Sequence, residues 1–275
     1  MKCGYVAVLG RPNAGKSSLV NALVGEEVAI VSHRRQTTRD SILGIKNGRD
    51  HQMIFVDTPG VHHSENKLDK FMMKNVRSAI ATADVVLYLF DGTKDLDEEE
   101  LDYISMLKEK CDNVLLLCTK ADKKGFENKL DALEISVQTG KNLSDLEKQI
   151  LSCLPERDAI FDEDIYTDKS IKFLIAEKAR GFLLENIDKE IPHGVAVVVT
   201  RFLEEATITF VDIEIVCERE QHKGIIIGKA GKTLKSLGEV TRKYAEELLD
   251  KKCMLKFFVK VDKDWRTKNI SQYYN

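Results

Sequence analysis

Residues 5–20 read YVAVLGRPNAGKSSLV: a short apolar strand pattern, a loop bounded by glycines, and a helical pattern with no linker between them. Few architectures accommodate that succession. Gly10, Gly15, Lys16 and Ser17 fit the pattern G-x-x-x-x-G-K-[ST] in the strand-to-helix context where it carries a mechanism. Glycines let the backbone curl so that successive N–H groups, including those of Asn13, Ala14 and Ser18, face one point, and the following helix adds its positive end. A phosphate chain fits such a cradle. Lys16 would bridge its β- and γ-phosphates, and the Ser17 hydroxyl would ligate Mg²⁺. A chance glycine turn is the plain alternative, and later residues weigh against it.

Asp57 to Gly60 (DTPG) follows the apolar run MIFV, which places a carboxylate at the C-terminal end of a strand, where ligands of open α/β sheets collect. Asp57 is expected to hold the metal through water, and the Gly60 N–H to meet the γ-phosphate. Within QTTRD (Gln36 to Asp40), Thr38 is the candidate for a second metal hydroxyl, with Thr37 as the alternative. A third strand end carries TKAD (Thr119 to Asp122), of which Thr119, Lys120 and Asp122 are the candidate nucleotide-binding residues. The Asp122 carboxylate can accept from both N1–H and the N2 amine of guanine, whereas adenine offers no such pair, so a guanine nucleotide, GTP or GDP, is selected. Lys120 would lay its stem along the base, and the Ser136 and Val137 N–H groups of SVQTG would donate to O6.

Short apolar runs alternate with helical patterns at 16–24, 67–81, 98–110 and 142–153, as a mainly parallel sheet covered by helices requires. The alternation stops at PERDAIFDEDIYTDKS (155–170), too acidic and too poor in apolar residues to form a layer. Beyond it the order is helix, two strands, helix, loop, helix, strand. This divides the chain into a nucleotide domain (1–155), a linker (156–170) and an α+β module (171–275).

A second glycine-rich stretch, GIIIGKAGKT (224–233), also ends in Gly-Lys-Thr, but residue 226 is Ile226 where a phosphate loop needs its first glycine. What remains, Gly228-Lys229-Ala230-Gly231 between two helical patterns, resembles the G-x-x-G loop of KH RNA-binding domains, and the element order matches their prokaryotic topology. Its glycines would admit a single-stranded backbone, Lys229 and Lys232 would supply charge, and the run Ile225, Ile226, Ile227 an apolar floor for bases. Charge agrees: residues 221–268 hold thirteen Lys and Arg against six Asp and Glu, inside a chain of net charge −3. Six scattered cysteines with no C-x-x-C pair suggest neither zinc nor a disulfide framework, and no apolar run is long enough to span a bilayer. A reduced, cytoplasmic setting is expected.

Together GRPNAGKSSLVNAL, QTTRD, DTPGV, TKAD and SVQTG, in this order, resemble the Era family of Ras-like GTPases; LPERDAIFDEDIYTDKSIKFLIAEKAR and VDKDWR are similar to that family's linker, following helix and tail. The resemblance covers nearly the whole chain. It implies a GTPase domain followed by a type II KH domain, Mg²⁺ as cofactor, the 3′ region of small-subunit ribosomal RNA and the small ribosomal subunit as partners, peripheral association with the inner membrane, and a monomer. The chain departs from the family pattern at Thr119, where asparagine is usual, and in the thirteen residues between Asp122 and Ser136, too few for the usual edge helix. Val61 stands where Ras-like switches carry a water-orienting glutamine, which implies slow unassisted turnover. Asn13 resembles the asparagine with which relatives hold K⁺ beside the phosphates, making Asn13, Lys16, Thr38 and Gly60 the candidate catalytic set. His62 and His63 read as solvated loop residues rather than bases. Two other readings stay open: an RNA-binding module whose nucleotide domain hydrolyses poorly, and a relative acting on tRNA or with tandem GTPase domains.

Overall fold

The computed structural model describes residues 1–32, 37–61, 67–187, 191–263 and 265. The chain divides into two compact units that meet in sequence between Asp168 and Lys169. In the first, β1 (Lys2–Gly10), α1 (Lys16–Val24), β2 (Ile42–Gly48), β3 (His51–Asp57), α2 (Lys67–Thr82), β4 (Val85–Asp91), α3 (Glu98–Lys110), β5 (Val114–Thr119), β6 (Leu133–Glu134) and α4 (Leu143–Cys153) follow one another. The sheet order is β2-β3-β1-β4-β5-β6, parallel except for β2. β1 and β4 are central and almost wholly buried, which is why they read as unbroken apolar runs rather than alternating ones.

The register aligns the functional strand ends. Val8 pairs with Asp57, Gly10 with Leu89, and Asp91 with Thr119, so the phosphate loop, the DTPG carboxylate and the TKAD segment leave one edge of the sheet together. No helix separates β5 from β6 among the described residues, as the short spacing implies. Instead Phe126, Leu130 and Ala132 lie on the core there, and Asn128 pins the loop through bonds to the Ala132 N–H and carbonyl.

The segment after α4 is not a free linker up to its end. Phe161 and Ile165 pack on Cys3, Ile45 and Ile54, and the buried Gln52 side chain accepts from the Ile160 and Phe161 N–H groups while donating to the Phe161 carbonyl. Together with the Asn47 amide, which donates to the Glu163 and Ile165 carbonyls, these contacts hold the acidic strap on the first unit, a long-range arrangement its composition does not announce.

The second unit holds α5 (Ile171–Asn186), β7 (Val195–Glu204), β8 (Ile208–Cys217), α6 (Glu220–Ile227), α7 (Lys232–Leu249) and β9 (Lys252–Val261). Ser170 caps α5 by accepting from the Phe173 N–H. The sheet order is β7-β8-β9, with β8 antiparallel to β7 and parallel to β9. One sheet face and the three helices enclose a core that includes Leu183, Ile213, Ile215, Ile226, Leu237 and Ala245. Trp265 is fully buried beside Ala196 and Val216 and donates from its indole N–H to the Gly194 carbonyl, fastening the chain after β9.

Candidate functional site

At the first glycine loop, Gly10 has φ 143° and a Cβ there would lie 2.2 Å from the Leu89 carbonyl oxygen; only glycine fits. Gly15, with φ 94°, begins α1. Lys16 is 6% exposed, and its ammonium donates to the carbonyls of Gly10 (3.0 Å) and Arg11 (3.1 Å), so it lies across the loop that the sequence assigned to a phosphate. Burial lowers its pKa to about 8, against the opposing pull of Asp57. A buried ammonium resting on carbonyls alone gains on meeting an anion.

Ser17, Thr38 and Asp57 come together as expected. The Ser17 hydroxyl donates to Asp57 Oδ2 at 2.7 Å, Thr38 donates to the same oxygen at 3.2 Å, and the two hydroxyl oxygens are 2.9 Å apart. Asp57 is wholly buried, its Oδ1 has no hydrogen-bond partner, and burial raises its pKa to about 6 despite those two hydroxyls and Lys16. Two hydroxyls and an under-satisfied carboxylate are hard oxygen donors within hydrogen-bond distance of one another, a set that fits a divalent cation. Thr38, not Thr37, supplies the hydroxyl here.

Thr58 donates to the Val8 carbonyl and fixes the DTPG turn on β1. A Cβ on Gly60 would meet the Pro12 nitrogen at 2.7 Å, so this glycine is required where the turn crosses the phosphate loop. The Val61 N–H donates to the Gly10 carbonyl at 3.1 Å and its side chain packs on the core. Asn13 adopts φ 67° at the loop's crest. His62, His63 and Gln36 lie outside the described residues.

At the base-reading end, the Ser136 hydroxyl donates to Asp122 Oδ1 at 2.6 Å and holds that carboxyl below the usual carboxylate range. The Lys120 ammonium is 2.6 Å from Asp91 Oδ2, which orients its stem from the far end; burial alone would raise the Asp91 pKa, but Lys120 and Thr93 outweigh it. Two expectations need correction. The Ser136 N–H donates to the Lys141 carbonyl and closes the SVQTG turn, so it is already engaged and does not point to O6. Thr119 turns its hydroxyl inward: it is 5% exposed, with its γ-oxygen 2.9 Å from the Ala14 carbonyl oxygen and 3.1 Å from that of Phe90.

In the second unit, Gly228 (φ 76°) caps α6 through its N–H on Gly224, and a Cβ there would strike the Thr233 hydroxyl at 2.2 Å. Ala230 (φ 52°) and Gly231 (φ 76°) are also left-handed; Gly231 opens α7, and Lys229, Ala230 and Lys232 are exposed. Ile226 must be corrected. It is fully buried in the core, because α6 turns this residue inward, and only Ile225, 48% exposed, and the half-buried Ile227 remain for a ligand. Beside the loop runs a groove of about 970 Å³ between α7 and the edge strand β9, lined by Leu234, Lys235, Arg242, Lys252, Met254 and Phe257. The sequence reading missed the groove. Its signal is the stripe Leu234, Gly238, Arg242, Glu246, four residues apart along one helix face.

Residues 5–120 match the family model described as "50S ribosome-binding GTPase", and residues 190–266 match "KH domain". "GTPase Era" of Alkaliphilus metalliredigens (strain QYMF) is 39% identical over 283 residues, covering 98% of this chain and 96% of the relative. This chain belongs to the Era family of GTPases. Two solved Era structures, one in complex with MgGDPNP and nucleotides 1506–1542 of 16S ribosomal RNA and one from Aquifex aeolicus bound to GDP·AlF4⁻, each match with TM-score 0.93 at 33% identity, over 100% of this chain and 98% of theirs. Among the described residues, no helix is long and apolar enough to cross a membrane.

Proposed function

We propose that this Era-family GTPase uses its nucleotide state to control how its KH unit engages the 3′ region of small-subunit ribosomal RNA during assembly of that subunit. The observation that carries this is the presence, in one chain, of the lysine, hydroxyl and carboxylate cluster of the first glycine loop and an exposed glycine turn, flanked by Lys229 and Lys232, beside the groove between α7 and β9. The complex of a relative with 16S ribosomal RNA supports the choice of partner.

Gly10, Asn13, Ala14, Gly15, Lys16, Ser17 and Ser18 hold the phosphates, and Ser17 and Thr38 ligate Mg²⁺, with Asp57 behind them. When bound, Mg²⁺ offsets charge on the phosphate oxygens. Lys16 meets the same charge from the loop side, and the Gly60 backbone lies against the γ-phosphate. Val61 cannot orient a water, so unassisted turnover is slow; Asn13 recruits K⁺ in place of an arginine finger. Gly228, Lys229, Ala230, Gly231 and Lys232 take the RNA backbone, and the groove between α7 and β9 takes bases. The protein works as a monomer in the cytoplasm, with peripheral membrane association.

Crosslinking to total RNA and mapping the contacted nucleotides tests the partner: contacts concentrated at the 3′ end of small-subunit RNA are expected, and an even spread overturns the reading. Equal single-turnover rates in K⁺ and Na⁺ buffers would remove the K⁺ role. The apolar side chain of Val61, packed on the core, favours a second reading, in which the nucleotide domain acts chiefly as a GTP-dependent regulator. Its mark is a hydrolysis rate unmoved by RNA.

A further inference from the structure

Thr119 ends β5 with its side chain sealed from solvent, and its γ-oxygen contacts two carbonyl oxygens, those of Ala14 in the phosphate loop and Phe90 in β4. A hydroxyl carries one hydrogen, and two acceptors already surround it. The neighbouring Lys120 ammonium is drawn toward Asp91, 2.6 Å from its Oδ2, at the far end of the stem. Guanine presents two donors, N1–H and the N2 amine, and two acceptors, O6 and N7. On the reading given above, the Asp122 carboxylate serves the donors and the Val137 N–H serves O6. That leaves N7.

We propose that Thr119 is a positioning and specificity-determining residue: its hydroxyl braces the phosphate loop to the sheet instead of reading the base, so this protein recognises guanine without a side-chain contact to N7. An amide at this position would have two donor hydrogens on a side chain one carbon longer, enough to keep the bond to Ala14 and present the second hydrogen outward. The threonine hydroxyl has only the brace. The consequence is a nucleotide site indifferent to the atom at purine position 7 and still strict about the N2 amine. The proposal rests on the reading of Asp122 given above.

The test measures dissociation constants of the full-length protein with Mg²⁺ for GDP, 7-deaza-GDP, which has C–H in place of N7, and IDP, which lacks the N2 amine. Expected for the unmodified chain is 7-deaza-GDP within threefold of GDP, with IDP at least tenfold weaker. A 7-deaza-GDP affinity more than threefold below that of GDP overturns the proposal. Equal binding of IDP and GDP instead overturns the reading of Asp122, so the two failures are told apart. Thr119→Asn should gain a preference for GDP over 7-deaza-GDP of about fivefold, the worth of one net hydrogen bond. Thr119→Val should weaken GDP and 7-deaza-GDP by the same factor, because it removes the brace and no base contact; a changed ratio in this variant also counts against the idea.

Discussion

The two glycine turns are made from nearly the same residues and do opposite things with their lysines. In the first, a buried central strand delivers the loop to the sheet edge, and Lys16 is folded back over it until 6% exposed, with carbonyls as its partners. In the second, helix α6 delivers the loop to the surface, and Lys229 and Lys232 point into solvent. A closed cradle suits a compact polyanion that must be held with its metal. An open turn suits a backbone that runs past and continues along a groove. The composition of a glycine loop therefore says less than the element that precedes it.

The largest effect is expected at the buried lysine. Lys16→Ala should lower single-turnover GTP hydrolysis by about 10²-fold or more, as loss of a preorganised cation at developing charge does, while RNA affinity measured with purified RNA in the absence of nucleotide stays within a factor of about two. A loss below about tenfold would mean that the closed cradle is not closed around phosphate. Next comes Gly228→Ala, which meets both a left-handed φ and the Thr233 hydroxyl. It should weaken RNA binding by about tenfold and destabilise the second unit by about 1–3 kcal/mol. Gly231→Ala, equally left-handed but facing open space, should cost only about 1 kcal/mol; if the two variants behave alike in denaturant melts, steric contact is not what sets the turn.

The exposed lysines sharpen the comparison further. Each of Lys229→Ala and Lys232→Ala should flatten the slope of log K against log salt for RNA by about 0.7, and Lys16→Ala should leave that slope alone. The smallest effect is at the metal carboxylate. Burial raises the Asp57 pKa to about 6, so above that pH the empty site holds a charge that opposes folding. Asp57→Asn should then raise the melting temperature of the nucleotide-free protein at pH 7.5 by about 2–4 °C, and should abolish the further rise that GTP with Mg²⁺ gives the unmodified chain.

Much of this was legible because it is local. Gly10, Gly15 and Gly228 stand where positive-φ backbone is needed, and Asp57 ends a strand that any parallel sheet brings to the edge where β1 ends. The helices at 16–24 and 98–110 fall where the apolar period puts them. What was not legible depends on partners far along the chain. The Lys120 ammonium is drawn to Asp91, and the Thr119 hydroxyl is taken up by Ala14, 105 residues away, while the Ser136 N–H is spent on a local turn back to Lys141. No spacing rule shows whether a donor is already engaged. The groove between α7 and β9 is hidden for the same reason, since its two walls are each ordinary amphipathic elements until they are set side by side.

Taken alone, then, the order of residues settled where the chain turns, which turns need glycine, and that one loop follows a strand and the other a helix, because backbone conformation is decided within a few residues. Only the folded molecule decided that Ile226 is core while Ile225 is surface, that Lys16 is enclosed while Lys229 is not, and that the hydroxyl of Thr119 faces inward. Burial and hydrogen-bond commitment belong to what packs around a side chain, and that is fixed by contacts between segments the sequence keeps apart.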